Sequence, residues 1–167
     1  DVGMAGAKLY YPDDTIQHAG VVVGLGGVAA HVLCKLPRDA EGYMGRLRCV
    51  QEISAVTAAC MMVKTSVFKA VGGFDEELKV AFNDIDLCMK VRKYGVKIVF
   101  TPYAELYHYE SKSRGMEDTP EKQLRFSREV NCFRRKWERE LLKGDPYYNP
   151  NLTLNNTDCS LRKQEKN

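Results

Sequence analysis

Asp84-Ile85-Asp86 sets two carboxylates two residues apart, with Asp75, Glu76 and Glu77 shortly before them and Lys90, Arg92 and Lys93 after. Such a spacing can hold a divalent cation, supply a base for proton abstraction, or simply open a helix. The flanking pattern favours a helix from about Asn83 to Tyr94, with Asn83 as N-cap and Gly95 as the stop. At about 100° per residue, Asp84, Cys88, Leu87 and Val91 fall on one arc, and Asp86 lies about 200° from Asp84. Side chains at i and i+2 of a helix do not face each other, so the two carboxylates do not chelate one ion. Asp86 then reads as a helix-start residue that accepts backbone N–H groups and pairs with Lys90. Asp84, on the apolar side of the first turn, has to cap, find a partner, or face a cleft where desolvation raises its pKa toward that of a general base.

Other residues with chemical capacity lie on either side. Gly72 and Gly73 permit positive φ or a close backbone approach, which suits a helix C-cap or a loop against a ligand. Phe74 and Asp75 follow them at the start of an acidic turn whose charge solvation alone explains. His108 is read on a strand, where a lone histidine is usually packed and hydrogen-bonded. The hydroxyls of Ser111 and Ser113 and the Arg114 cation follow it, a combination suited to phosphate oxygens or to helping a metal that carries them. His18 and His31 lack such company, although the "QHAG" stretch could line a cleft.

The elements that must position these groups read as a mixed α/β domain. Residues 5–11 suggest a strand, "PDDT" a turn, and "IQHAGVVVGLGG" a second strand completing a hairpin. Residues 24–54 read as a long loop with short helical turns. "AVTAACMMVK" has the continuous apolar character of a buried strand, and "SVFKAVGG" reads as a short helix ended by its glycines. "VKIVFTP" and "AELYHYE" read as two strands. The last helix is capped by Thr119, takes Pro120 in its first turn, sets Glu121 and Glu129 four residues from Arg125, and stops at Gly144. Its stripe of Phe126, Val130, Phe133, Trp137 and Leu141 is expected to dock on the sheet. Residues 145–167 are expected to form an irregular extension, which leaves residues 1–144 as the folded domain.

A chain of 167 residues with 44% hydrophobic and 28% charged residues fits one globular domain. A net charge of +3 without a concentrated basic stripe argues against nucleic acid. No apolar run approaches the ~20 residues of a membrane span, while the basic face of the last helix leaves room for a peripheral contact with anionic headgroups. Six cysteines without a C-x-x-C pair favour a reducing compartment over a zinc or disulfide framework. The chain starts at Asp1 and runs at once into a strand, which suggests a piece of a longer protein.

The run "TAACMMVKTSVFKAVGGFDEELKVAFNDIDLCMKVRKYG", with "TPYAELYHYESKSRG" after it, resembles the C-terminal half of a family 2 glycosyltransferase of GT-A fold. "GAKLYYPDDTIQHAGVVVGLGG" and "DPYYNPNL" extend the likeness toward bacterial members that assemble surface polysaccharides. The resemblance implies a mixed-sheet, acceptor-side portion of that fold, lacking the nucleotide-binding half. It implies inverting transfer from a nucleotide-sugar donor to a saccharide or lipid-linked glycan acceptor, at the cytoplasmic face of the membrane. Asp84 would be the general base, and Gly72, Gly73, Phe74 and Asp75 would line the acceptor side. His108 would serve a divalent cation, Mg or Mn, with Ser111 and Arg114 at the donor diphosphate. Asn83 stands where the family usually has Glu, and no upstream D-x-D precedes Gly3, so the isolated chain is expected to be inactive or nearly so. A noncatalytic carbohydrate-binding or scaffolding module is the competing reading. An unrelated phosphate-binding protein is disfavoured, because no glycine-rich strand-to-helix loop is present.

Overall fold

The computed structural model describes residues 1–109 and 119–163. Strand β1 (Val2–Tyr10) is the spine of a mixed sheet. On one edge it pairs antiparallel with β2 (Ile16–His18) and, nearer its start, with β6 (Met61–Val63). On the other edge it runs parallel to β7 (Lys97–Tyr107), which in turn pairs antiparallel with β5 (Gln51–Glu52). A separate hairpin is formed by β3 (Val21–Val23) and β4 (Ala29–His31). A parallel pair needs a long crossover, and the chain between β1 and β7 includes α1 (Thr65–Ala70) and α2 (Asn83–Lys93). Helices α3 (Pro120–Lys136) and α4 (Glu138–Lys143) follow.

Strand β1 is buried along most of its length, as a strand flanked on both edges requires. Its small residues reflect close packing: a Cβ on Gly6 would lie 2.3 Å from a methyl of Val56. The two strands expected from "VKIVFTP" and "AELYHYE" are one element in the structure. Pairing jumps from Ala7 with Thr101 to Lys8 with Glu105, so Pro102, Tyr103 and Ala104 bulge out of the ladder. Proline has no N–H for a ladder, and a bulge accommodates it.

Three further expectations change. "AVTAACMMVK" is not a continuous buried strand: a 3₁₀ turn at Ala58–Cys60 interrupts it, and Met62 on β6 is 77% exposed. "IQHAGVVVGLGG" divides into β2 and β3 at Gly20, whose φ is +105°. The last helix breaks at Trp137, which has φ −114° and ψ 23°, so α3 and α4 are separate segments. Residues 145–163 are irregular in backbone, yet Tyr148, Leu152 and Cys159 join the common core. There, Leu154 accepts the N–H of Gly26 at 2.8 Å and Thr157 that of Leu33 at 2.6 Å, sealing the segment against the β3–β4 side.

Candidate active site

The start of α2 is set by an unusual residue. Phe82 holds the N-cap position in the left-handed region, with φ +62°, where a bulky side chain is strained and needs outside support. Its ring packs against Phe126 and Phe133 of α3, with centroids 5.8 and 5.4 Å away. Glu129, also on α3, accepts the N–H groups of Lys79 at 3.1 Å, Val80 at 3.2 Å and Ala81 at 2.8 Å. The expected pairing with Arg125 is present at 3.9 Å, but this buried carboxylate mainly clasps the loop that leads into α2. Asn83, expected as the N-cap, is the first helical residue, and its Oδ1 accepts the N–H of Asp84 at 2.7 Å.

The two aspartates take opposite places from those the helical projection assigned. Asp86 is fully buried. Its Oδ1 accepts the indole N–H of Trp137 at 2.8 Å and lies 2.8 Å from Lys136 Nζ, while Oδ2 is 3.2 Å from Lys90 Nζ. A buried carboxylate requires such partners; the expected pairing with Lys90 is present, while Lys136 and Trp137 come from the end of α3, which the local period of α2 cannot reveal. Asp84 is only half-buried. Its Oδ2 accepts the N–H of Ala58 at 3.0 Å and its Oδ1 that of Ile85 at 2.9 Å. Each carboxylate oxygen keeps a free lone pair beyond these bonds.

The Gly72-to-Asp75 segment forms the end of α1 and the loop beyond it. Gly73 has φ +65° and gives its N–H to Phe68 O at 3.0 Å, while its carbonyl accepts Lys90 Nζ at 2.7 Å. The Phe74 ring is half-exposed and meets Phe68 edge-on. Asp75 Oδ2 is 2.5 Å from Lys136 Nζ, and this ammonium holds the Asp75 carboxyl below its ordinary pKa. Lys136 therefore joins Asp75 to Asp86. Among the described residues, no hydrogen bond or ion pair joins this segment to Asp84.

Asp84 is joined instead through Ala58 to Thr57, one wall of a cavity of about 340 Å³ also lined by Tyr11, Gln17, His31, Cys34 and His108, among others. Gln17 organises it: its side-chain oxygen is 2.8 Å from His108 Nδ1, and its backbone carbonyl is 3.0 Å from His31 Nδ1 and accepts Cys34 Sγ at 3.1 Å. His31 Nδ1 is also 3.3 Å from Nδ1 of the fully buried His18. Burial first, and then the neighbouring His31, holds His18 neutral well below the ordinary histidine range. The consecutive N–H groups of Thr57 and Ala58 point to His18 Nε2 at 3.4 Å and to Asp84 Oδ2 at 3.0 Å. One short turn thus couples the carboxylate to the histidine-lined wall. Sequence reading singled out His108 and noted "QHAG" as a cleft stretch, but the meeting of all three histidines depends on contacts between distant segments.

Ser111 and Arg114 lie outside the described residues. Among the described residues, no group of three or more His, Cys, Asp or Glu side chains is arranged to hold a metal ion. With Nδ1 directed at an amide oxygen, His108 offers Nε2 as a single ligand. The described residues do not by themselves make a metal centre.

Comparison with known proteins adds a coarse functional context. No family model matches the chain, and no solved structure matches it. It is 59% identical over 161 residues, 96% of its length, to the uncharacterized protein y4gI of Sinorhizobium fredii, where the match covers 18% of that protein. It is 40% identical over 164 residues, 98% of its length, to the O-antigen biosynthesis protein RfbC of Myxococcus xanthus, covering 12% of that protein. Over 62 residues, 37% of the chain, it is 36% identical to an N-acetylglucosaminyl-diphospho-decaprenol L-rhamnosyltransferase of Mycobacterium tuberculosis, covering 20% of that enzyme. The chain spans a fifth or less of these curated relatives. It is a mixed α/β domain similar to parts of proteins named for glycan synthesis, one of them a glycosyltransferase. No described helix is long and apolar enough to cross a membrane.

Proposed function

We propose that the chain forms the acceptor side of an inverting glycosyltransferase, with Asp84 as general base. The observation that carries this reading is the position of Asp84: half-exposed, oriented by two backbone N–H groups, and one turn residue away from the Thr57 wall of a polar cavity. The names of the relatives support a role in glycan synthesis at a coarse level; a saccharide or lipid-linked glycan acceptor and a nucleotide-sugar donor are part of the proposal.

In the proposed step, the acceptor hydroxyl gives its proton to a carboxylate oxygen of Asp84 as its own oxygen bonds to the anomeric carbon. The bond from that carbon to the nucleoside diphosphate breaks, and the diphosphate leaves with the electron pair. The backbone bonds fix the carboxylate's direction without occupying both lone pairs of either oxygen, which is what a positioned base requires. Phe74 and the loop at Gly72, Gly73 and Asp75 are proposed to border the acceptor, while Lys136 fixes that loop. The donor, with a divalent cation of the Mg or Mn type, is proposed to be held largely by sequence such as the longer relatives contain, with Ser111 and Arg114 near its diphosphate and His108 as one ligand. The site of action would be the cytoplasmic face of the cell membrane.

Asp84→Asn in the full-length protein tests the assignment. Transfer is expected to fall by at least about a hundredfold, the scale of general-base catalysis, with donor binding retained. Unchanged turnover removes Asp84 from the chemistry and leaves the carbohydrate-binding module as the better reading.

A further inference from the structure

Lys8 is a buried lysine that forms no close ion pair among the described residues. It sits on β1 with 4% of its surface exposed, and among the described residues no carboxylate lies within ion-pair distance of its ammonium. Its hydrogen bonds go to the carbonyls of Arg38 and Leu47, both at a long 3.4 Å. A lysine is seldom buried unless paired, and an uncompensated internal charge is costly. Nearby, Lys8 Nζ lies 5.4 Å from the centre of the buried Tyr10 ring.

The ammonium borders a cavity of about 330 Å³ whose other walls include Arg38, Arg48, Tyr103 and Glu105. The bulge in β7 carries Tyr103 and falls next to Lys8 in the ladder. Bulges of this kind re-aim side chains and open pairing beside functional sites. Of the acids at or beside this cavity, Glu105 is 2.5 Å from Arg38 and Glu41 is 3.2 Å from Arg48, while Asp39 also lines the space. Lys8, Arg38 and Arg48 outnumber the Asp39 and Glu105 carboxylates around this space, a set that suits an anion with several oxygens, because arginine offers a planar fork of donors and lysine a point charge. Tyr103, 81% exposed, adds an aromatic face at the same cavity.

We infer that the cavity at Lys8, Arg38 and Arg48 is a binding site for a phosphate-class oxyanion, free or carried on a sugar. The site is separate from the histidine-lined cavity and from Asp84, and its occupancy is measurable without any sugar transfer, so it stands or falls independently of the proposed reaction. An oxyanion there would give the Lys8 ammonium a close counter-charge.

Thermal unfolding of this chain in inorganic phosphate, against chloride at equal ionic strength, provides the test. A ligand that binds only the folded state raises Tm with its concentration, and a rise of about 4 °C or more is expected near saturation for a chain of this size. Lys8→Met should lose nearly all of the phosphate-specific rise, while its Tm in chloride stays level or increases, since an apolar replacement removes the buried charge. Arg48→Gln, altered at an exposed side chain that leaves folding intact, should need roughly tenfold more phosphate for the same rise, consistent with loss of one charge-assisted contact. This second variant decides the matter should Lys8→Met fail to fold. Glucose 1-phosphate distinguishes the sources: tighter binding than phosphate that is lost in Tyr103→Ala indicates a phosphorylated sugar, and equal binding indicates the phosphate group alone. An equal rise in chloride, or the same phosphate response in wild type, Lys8→Met and Arg48→Gln, would overturn the inference by reducing it to a general salt effect.

Discussion

Asp86 Oδ1 accepts the indole N–H of Trp137 at 2.8 Å, so the second helical aspartate anchors α2 to the junction of α3 and α4. The same oxygen meets Lys136, which also reaches Asp75. A single buried carboxylate therefore links three segments: α2, the end of α3, and the loop after α1. Removing it by Asp86→Ala strands the facing lysines and the indole, and is expected to cost about 3–5 kcal/mol, the range for breaking a buried pair. Trp137 is the single tryptophan, so urea unfolding followed by its fluorescence reports the loss at the contact itself. A cost below about 1 kcal/mol would show that the network is replaceable.

The clasp at Glu129 makes a second, independent claim on the same region. Glu129→Ala leaves the N–H groups of Lys79, Val80 and Ala81 without their acceptor, and unsatisfied buried donors cost about 1–3 kcal/mol each where water cannot reach them. A total loss of about 3 kcal/mol is expected. Hydrogen exchange gives the local readout: these three amides should lose protection in the variant more than amides in β1 do. Uniform loss of protection across the chain would count against a local clasp.

How far the sequence could foretell this arrangement depends on the range of each interaction. The Thr119 cap and Pro120 are local, and Thr119 Oγ1 accepts the N–H of Lys122 as the pattern expects. Gly95 ends α2 with φ +96° for the same kind of reason. The helical projection gives Asp86 its Lys90 partner but places it on the outer face, because Lys136 and Trp137 lie about 50 residues away and no projection carries that distance. Glu129 read as half of a surface ion pair for the same cause. Phe82 shows no propensity signal for a left-handed residue; its conformation follows from Phe126, Phe133 and the clasp. The histidine cavity was legible only as separate pieces, since β2, β4 and the end of β7 must fold before His18, His31 and His108 meet.

The buried His18 gives stability a defined pH dependence. Its folded-state pKa lies well below 6.5 because of burial and then His31, whereas the unfolded chain protonates it near the ordinary value. Between those two pKa values the unfolded state binds more protons, so stability is full above about pH 6.5 and declines as pH falls. The limiting slope from this group is about 1.4 kcal/mol per pH unit. Proton NMR of the His18 ring checks the cause: its signals should hold the neutral position through pH 6, and a midpoint near 6.5 would contradict it.

Thiol reactivity should sort by burial. Burial pushes the Cys88 thiol up to about 12, while Cys49 is exposed. Since the thiolate is the nucleophile, iodoacetamide under native conditions should label Cys49 early and Cys88 only after unfolding. Mass spectrometry of peptides taken at intervals reads the order, and early labelling of Cys88 would mean that the packing between α2 and β1 opens readily.

The proposed base rests on one half-exposed carboxylate held by Ala58 and Ile85. Its most direct test is single-turnover transfer by the full-length protein carrying Asp84→Asn, with donor binding measured on the same sample. The account predicts that donor affinity stays within about threefold of wild type while the transfer rate drops at least about a hundredfold. A transfer rate equal to that of the wild type, with donor bound, would contradict it.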